Sequence, residues 1–160
     1  MNYCGLTGSW REAGITLQNL AKNINKSAEK ELKESGELVK DIIVKHIDNQ
    51  DLGWKPLSPI TVRIKGSDTI YVDTGLLRSN ITVRGVKSKV NKSTIFIGGN
   101  PWTRHPSGLK MSELMNFMEY GTKYMPPRPL IRPSFNEAKP LVINKFTRGV
   151  VGDIRKAVIK

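Results

Sequence analysis

Residues 17–47, LQNLAKNINKSAEKELKESGELVKDIIVKHI, decide the fold of this chain. Their apolar side chains recur three or four positions apart, the spacing that places side chains on one stripe of an α-helix. The stripe consists of Leu17, Leu20, Ile24, Ala28, Leu32, Leu38, Val39, Ile42, Ile43 and Ile47. The polar residues 48–51 mark its end. The sequence therefore predicts one long amphipathic helix, in which Gly36 indicates either a bend or a close packing contact.

The residues before this helix have a different character. Residues 1–16 contain three glycines and no sustained apolar period, which predicts a flexible N-terminal arm with Trp10 as a potential anchor. The remaining residues, 17–160, are enough for one hydrophobic core and short for two. We therefore expect a single domain over residues 17–160.

The middle of the chain is divided by prolines and glycines. Ser58 followed by Pro59 is typical of a helix start, which predicts a short helix as far as Gly66. The β-branched residues 60–62 favour a strand as the alternative. Residues 73–74 precede a helical turn, and Asp73 is predicted to cap it.

Two β-rich runs follow, at residues 81–83 and 94–97, separated by the basic residues 87–92. They predict a long antiparallel hairpin with a basic tip. A loop is expected over residues 99–111 and a short helix from Ser112 to Gly121.

The last third closes the predicted fold. Prolines make residues 125–129 an extended edge segment, because proline lacks a backbone donor. A C-terminal helix is expected from Ser134, or from Asn136 because of Pro140. The fold class is therefore α+β, with a long N-terminal helix and a C-terminal helix packed on a small antiparallel sheet built around a long hairpin.

The charge of the chain is strongly one-sided. Residues 1–80 carry 11 basic and 10 acidic side chains, whereas residues 81–160 carry 15 and 4, so the two halves are +1 and +11. This distribution favours a basic face toward nucleic acid or an acidic protein over a generally basic surface. The predicted residues of this face are Arg84, Lys87, Lys89 and Lys92.

The residues that carry chemistry are few. A single cysteine excludes an intrachain disulfide, and neither His46 nor His105 has a metal-ligating partner nearby in sequence. Ser107 lies near His105 without the surroundings of a nucleophile. We therefore expect no enzyme activity, no catalytic or metal site, no cofactor and no small-molecule substrate. No apolar run is long enough for a membrane span, and a secretory signal is lacking, so synthesis in a cytoplasm is expected.

Four motifs in this order resemble the tail-completion or virion morphogenesis proteins of tailed bacteriophages. They are GWKPLSP (residues 53–59), DTGLLRS (73–79), MEYGT (118–122) and MPPRPLIRP (125–133). The resemblance covers about residues 20–150. Pro127 and Leu130 depart from relatives, which often have a small residue and an aromatic there. The structural residues of the motifs are Trp54, Pro56, Leu57, Asp73, Thr74, Gly75, Leu76 and Arg78.

The resemblance implies a structural virion protein that forms a homo-oligomeric ring at the neck between head and tail. The ring is hexameric in most relatives, with twelve-fold symmetry as the alternative. The implied partners are other neck, connector and tail proteins and the double-stranded DNA that passes through. No membrane is involved, and assembly takes place in the bacterial host cytoplasm.

The extended segment also points to an interface on physical grounds. Its backbone groups and apolar side chains need cover, either from a neighbouring subunit or from the chain's own sheet. The predicted subunit interface consists of Met118, Glu119, Tyr120, Gly121, Thr122, Pro127, Arg128, Pro129 and Leu130. Arg128 is predicted to pair across it, so that Arg128→Ala would leave the monomer folded.

Three alternatives stay open. A nucleic-acid-binding module would use the basic residues of the hairpin together with Arg148, Arg155, Lys156 and Lys160. It lacks an aromatic stacking platform. A tail terminator protein is a related structural role, and a hydrolase of cell wall or DNA would need a catalytic constellation that the sequence does not offer.

Overall fold

The computed structural model describes the backbone of residues 9–89 and 92–158 and the side chains of residues 9–85 and 93–156. Its elements are α1 (Trp10–Asn49), α2 (Pro59–Lys65), α3 (Leu76–Ser79), β1 (Ile81–Lys89), β2 (Lys92–Gly99), α4 (Met111–Tyr120) and α5 (Ile131–Val158). The predicted α+β class is confirmed, with long helices at both ends of a hairpin.

The first helix begins at Trp10 and not at Leu17, so the predicted arm was wrong for residues 10–16. Ser9 and Glu12 form a capping box, in which the Ser9 Oγ accepts the Glu12 N–H at 3.2 Å and the Glu12 carboxylate accepts the Ser9 N–H at 3.4 Å. This local signal outweighs Gly14. Trp10 is 93% exposed, so it does not act as an anchor on the part of the chain that the structure describes. Residues 1–8 lie outside the described residues.

The end of α1 is where the sequence placed it. Gln50 has a left-handed backbone (φ 53°), and its N–H donates to the His46 carbonyl. Gly36 marks a packing contact, because a Cβ there would lie 2.8 Å from the Val83 Cγ1 and would overlap Ile95. The hairpin therefore lies directly on the glycine face of α1.

The hairpin pairs antiparallel from Ile81 opposite Gly99 to Lys89 opposite Lys92, with an irregularity between Arg84 and Lys87. It contributes both strands of a two-stranded sheet that packs on α1. A sheet of this size needs a packing partner to be stable, and α1 supplies it. The predicted hairpin is thus confirmed, and its turn at residues 90–91 lies outside the described residues.

The two long helices lie antiparallel. Ser27 donates a hydrogen bond to the Asp153 carboxylate at 2.5 Å, and the Lys145 ammonium lies 3.1 Å from the Glu34 carboxylate. Near the other end, the His46 ring lies 3.0 Å from the Glu137 carboxylate. Residue numbers rise along α1 as those of the contacting residues fall along α5, so the two helices share one continuous contact.

The short connecting elements confirm one prediction and correct others. Residues 59–65 form a helix and not a strand, because the Ser58 Oγ accepts the Thr61 N–H at 3.2 Å and Pro59 occupies the first turn. The turn α3 has Gly75 as its N-cap with no side-chain cap, so Asp73 is not a cap. The helix α5 begins at Ile131, earlier than either predicted start.

One core holds these elements together. Its buried members are Val39, Ile43, Ile47, Trp54, Ile70, Tyr71, Leu77, Ile81, Met111, Met115, Leu130 and Ala138. They come from α1, from the segments that contain the motifs, and from α4 and α5. Within the described ranges, no helix combines the length and the apolar content that a membrane crossing requires.

Candidate assembly surface

Three of the four motif segments, residues 53–59, 118–122 and 125–133, meet around Arg128. Its side chain is 4% exposed. The Arg128 Nε donates to the Lys55 carbonyl at 3.0 Å, and its Nη2 donates to the Pro56 carbonyl at 3.3 Å. Burial of a guanidinium is tolerated when its donors find acceptors, and these two carbonyls provide them. Arg128 therefore fastens residues 125–133 to residues 53–59.

The backbone around Arg128 is satisfied by the same neighbourhood. The Arg128 N–H donates to the Met118 carbonyl at 2.7 Å, and the Tyr71 hydroxyl donates to the Arg128 carbonyl at 2.5 Å. The Trp54 indole N–H donates to the Pro129 carbonyl at 2.6 Å. The Trp54 and Tyr71 rings lie 5.0 Å apart. Burial, together with the nearby Glu119 charge, raises the pKa of the Tyr71 hydroxyl, so it remains a donor.

The Glu119 carboxylate on α4 also contacts this segment. It accepts the backbone N–H groups of Leu130 at 2.6 Å, Ile131 at 2.8 Å and Arg132 at 3.0 Å. These N–H groups lie at the start of α5, where a helix offers no backbone acceptor of its own. Glu119 therefore caps α5, whose start the sequence placed at Ser134, and the Ser134 Oγ donates to the Leu130 carbonyl.

These contacts correct the expectation of an extended edge segment. Residues 126–130 belong to no strand, and the backbone polar groups of residues 128–130 are paired within the subunit. Glu119, Arg128 and Leu130 therefore act inside the chain. Other members of the predicted interface stay accessible, since Tyr120 is 71% exposed and Thr122, Pro127 and Pro129 are exposed.

Gly121 explains why the chain can turn from α4 into this segment. Its φ is 76°, and a Cβ would lie 2.8 Å from both the Met125 carbonyl oxygen and the Pro127 nitrogen. Thr122 and Met125 close the turn through paired backbone hydrogen bonds. The turn projects Tyr124, which is 90% exposed, away from the core. The turn at Gly121 thus lies between two exposed aromatic side chains, those of Tyr120 and Tyr124.

Two apolar grooves flank α4, on opposite sides of the helix. Groove A, of about 520 Å³, contains Leu114 and Met118 from α4. Its other apolar residues are Leu57, Ile64, Ile70, Tyr71, Val72, Leu77 and Met125. Groove B, of about 380 Å³, contains Met115 and Tyr120 from α4. It is completed by Phe96, Ile97, Ile131 and Phe135.

The electrostatics of groove A centre on Lys65. Partial burial lowers the pKa of its ammonium, and nearby Arg128 lowers it further, whereas Asp73 and Asp68 oppose the shift. The Lys65 ammonium donates to the Thr69 carbonyl. Groove A therefore combines apolar walls with one lysine, which has the carboxylates of Asp73 and Asp68 nearby.

Residues 73–79 form part of the wall of groove A. The Arg78 guanidinium donates twice to the Asp48 carboxylate, at 2.6 Å for both contacts, which fastens α3 to the end of α1. This contact lowers the pKa of Asp48 and raises that of Arg78. Leu77 is buried in the core, and the Thr74 hydroxyl accepts the Leu76 N–H at 3.4 Å beside Gly75.

The predicted basic face is only partly described. The Arg84 guanidinium lies 5.1 Å from the Phe96 ring centre, and its Nε has no hydrogen-bond partner among the described residues. Lys87, Lys89 and Lys92 have strand backbone at the far end of the hairpin, and their side chains lie outside the described residues. Arg148, Arg155 and Lys156 are exposed on α5. Lys160 lies outside the described residues.

Several residues of this surface were not found from the sequence. Tyr71 has no motif around it, and its partner lies 57 positions away. Ile60 and Ile64, 73% and 83% exposed on α2, could have been noticed from their i, i+4 spacing beside groove A. His46 is buried, and its Nδ1 lies 2.6 Å from the Asp51 carboxylate. Across residues 9–89 and 92–158, no three His, Cys, Asp or Glu side chains are grouped to hold a metal ion.

Comparison of the chain with protein-family models, with curated proteins and with solved structures gave no significant match.

Proposed function

We propose that this chain is a structural subunit of a tailed-phage particle, forming a ring at the neck through which DNA passes. The observation that carries the proposal is the convergence of three of the four motif segments, residues 53–59, 118–122 and 125–133, on Arg128 and Glu119. This buried network fixes the position of α4, and α4 separates two exposed apolar grooves.

A ring needs two different surfaces on each subunit, because every subunit meets its two neighbours through opposite sides. Grooves A and B fit this requirement, since they lie on opposite sides of one rigid helix. Groove B carries the projecting Tyr120 and Phe135, which are 71% and 51% exposed. Groove A is the receiving surface, lined by Leu57, Ile64 and Met118. Tyrosine suits such a contact because its ring buries a large area and its hydroxyl stays hydrated at the rim.

The predicted interface thereby divides into two groups. Tyr120, Thr122, Pro127 and Pro129 are the exposed residues that meet a neighbour. Glu119, Arg128 and Leu130 hold them in place from inside. In this proposal the chain has no catalytic role, and the hairpin with Lys87, Lys89 and Lys92 faces DNA or an acidic neck protein in the lumen.

The test is a mixing experiment with two variants of the full chain. Ile64→Asp places a charge in groove A, and Tyr120→Asp places one on groove B. Each variant alone is expected to be monomeric by sedimentation velocity, whereas the unaltered chain forms rings visible by negative-stain electron microscopy. An equimolar mixture retains one intact pair of surfaces, so it is expected to form heterodimers and no larger species.

Trp102→Asp is the matched control. Trp102 is 83% exposed in the loop before α4 and lines neither groove, so this variant should still form rings. Three outcomes would overturn the proposal: an unaltered chain that stays monomeric, variants that form normal rings, or a mixture that stays monomeric. A monomer that binds double-stranded DNA with a steep salt dependence would favour the nucleic-acid-binding module instead.

A further inference from the structure

Groove A carries two cations that the contacts within the subunit satisfy only in part. The first is the Arg128 guanidinium, which is 4% exposed and donates from Nε and Nη2 to the carbonyls of Lys55 and Pro56. Its third nitrogen, Nη1, donates to no described residue and is not sealed from solvent. Because Arg128 lines groove A, a buried guanidinium has a nitrogen without an acceptor at this groove.

The second cation is the Lys65 ammonium at the end of α2. It lines the same groove and donates one of its three N–H groups to the Thr69 carbonyl. Burial lowers its pKa, and the charge of Arg128 lowers it as well, so the two cations lie near enough to repel each other. An anion in contact with both cations would relieve this repulsion.

The charges around groove A suit an anion with a single negative charge. Asp73 also lines the groove, and its side chain is exposed. Asp68 lies near Lys65 but does not line the groove. Two cations and one carboxylate leave one positive charge in excess. A phosphate group, with nearly two negative charges near neutral pH, would be repelled by Asp73.

The rest of the groove is mainly apolar, with walls that include Leu57, Ile64, Leu114 and Met118. Its volume of about 520 Å³ falls within the range of about 300–1,000 Å³ that small-molecule sites in proteins have. Such sites combine apolar walls with a few polar groups that fix the orientation of the ligand. The ligand that fits both features is an apolar group that ends in one carboxylate.

We propose that groove A binds a small organic acid, with its carboxylate between Lys65 and Arg128 and its apolar part against the walls. One carboxylate oxygen accepts from the Lys65 ammonium and the other accepts from the Arg128 Nη1, so each cation gains an acceptor. The site binds this acid without a reaction. The inference does not rest on the proposed function, because binding can be measured on a chain that lacks the proposed ring contact.

Isothermal titration calorimetry of octanoate against the full chain carrying Tyr120→Asp tests the site. Tyr120 lines groove B and not groove A, so groove A is open to the ligand whether or not the unaltered chain forms rings. Octanoate is expected to bind with a dissociation constant of about 0.1–1 mM, since few atoms make contact. Octanol has the same apolar chain without the charge and should bind at least about tenfold more weakly. No binding of octanoate up to about 5 mM, or equal binding of octanol, would overturn the proposal.

Two substitutions at the groove should change the dissociation constant in opposite directions. Lys65→Met removes the ammonium and keeps an unbranched side chain, so it should raise the constant about tenfold. Asp73→Asn removes the repelling carboxylate, so it should lower the constant about threefold.

The matched control is Arg63→Met, which removes a cation from the same helix at an exposed position outside the groove. It should change the dissociation constant less than about twofold. Circular dichroism should show the same helix content in all variants. An equal effect of Lys65→Met and Arg63→Met, or an affinity that Asp73→Asn does not raise, would overturn the proposal.

Methionine methyl groups locate the ligand independently of these substitutions. Met118 and Met125 line groove A, Met115 lines groove B, and Met111 is buried in the core. NMR spectra of the chain with isotope-labelled methionine methyl groups should show octanoate-dependent shifts of Met118 and Met125. The signals of Met115 and Met111 should stay in place. Larger shifts at Met115 than at Met118 and Met125 would place the ligand in groove B and overturn the proposal.

Discussion

The carboxylate of Glu119 accepts a hydrogen bond from the backbone N–H of Leu130 at 2.6 Å, and it caps the helix that follows. The same carboxylate accepts from Ile131 and Arg132. A capping group usually comes from the residue just before the helix. Here it comes from α4, so the start of α5 exists only in the assembled tertiary structure.

Glu119→Ala is therefore expected to lower the free energy of unfolding by about 1–3 kcal/mol, because it leaves three N–H groups without their acceptor. Glu119→Gln keeps one acceptor oxygen and should lose less. Glu113→Gln is the control, since among the described residues Glu113 accepts a single backbone N–H, that of Lys110. Chemical denaturation followed by circular dichroism measures all three. Equal stabilities of the two Glu119 variants and the unaltered chain would contradict the capping role.

Arg128 reverses an expectation from the sequence. Its burial and its two backbone acceptors mean that Arg128→Ala should destabilise the monomer, by about 1.5–3 kcal/mol. Arg128→Lys should also be destabilising, because an ammonium cannot reproduce the two-pronged contact to Lys55 and Pro56. Arg132→Ala, at an exposed position nearby, is the control and should change little. A thermal transition of Arg128→Ala equal to that of the unaltered monomer would return Arg128 to an interface role.

Gly36 and Gly152 make a matched pair of helical glycines. Alanine in a helix is favoured over glycine by about 1 kcal/mol, so Gly152→Ala, with nothing within 4 Å of the new Cβ, should stabilise the fold by about that amount. Gly36→Ala should instead destabilise it by about 1–2 kcal/mol, because the methyl group overlaps Val83 and Ile95. Urea unfolding midpoints of the two variants should move in opposite directions. A stabilising Gly36→Ala would mean that the hairpin does not lie against α1.

Two aspartates predict how stability changes in acid. Hydrogen bonds from Arg78 to Asp48 and from Ser27 to Asp153 lower the pKa of each carboxyl below its ordinary value of 3.8. A carboxyl with a depressed folded-state pKa contributes stability that is present above the unfolded-state value and is lost as the pH falls through the folded-state value. The melting temperature should therefore drop below about pH 4.

Arg78→Gln and Ser27→Ala should each make the melting temperature less dependent on pH in acid. The two effects should be independent, because Arg78 joins α3 to α1 whereas Ser27 joins α1 to α5. Melting temperatures recorded between pH 2 and 6 test the expectation. An acid profile that is unchanged in both variants would show that other carboxyls govern it.

The lysines of the hairpin give a prediction about assembly. If the chain is the proposed neck subunit, reversing Lys87, Lys89 and Lys92 to Glu should lower the yield of infectious particles, because the basic hairpin would lose its proposed contact with DNA or an acidic protein. The isolated fold should stay intact, since charges at the end of a hairpin contribute little to stability. A control with three reversed lysines elsewhere should assemble normally. The control residues are Lys33, Lys45 and Lys139, all exposed on the long helices. Normal particle yield from the hairpin variant would refute the lumen-facing role.

The sequence by itself determined the elements whose signals are local. The apolar spacing of residues 17–47 and the polar residues 48–51 predicted the body and end of α1, and Ser58 with Pro59 predicted α2. The two β-rich runs predicted the hairpin. Each signal acts within a few residues, so it works before the chain has folded. The start of α1 was not predicted although its signal is local: three glycines among residues 1–16 favoured an arm, whereas Ser9 and Glu12 form a capping box that begins the helix at Trp10.

Only the tertiary structure decided which motif residues are buried and which are exposed. Arg128 meets carbonyls 72 and 73 positions away, and Trp54 reaches a carbonyl 75 positions away. An arginine beside prolines has the same local sequence whether it faces a neighbour or its own chain. The choice depends on which acceptors the fold brings within about 3 Å, because a buried guanidinium is stable only where its N–H groups find them.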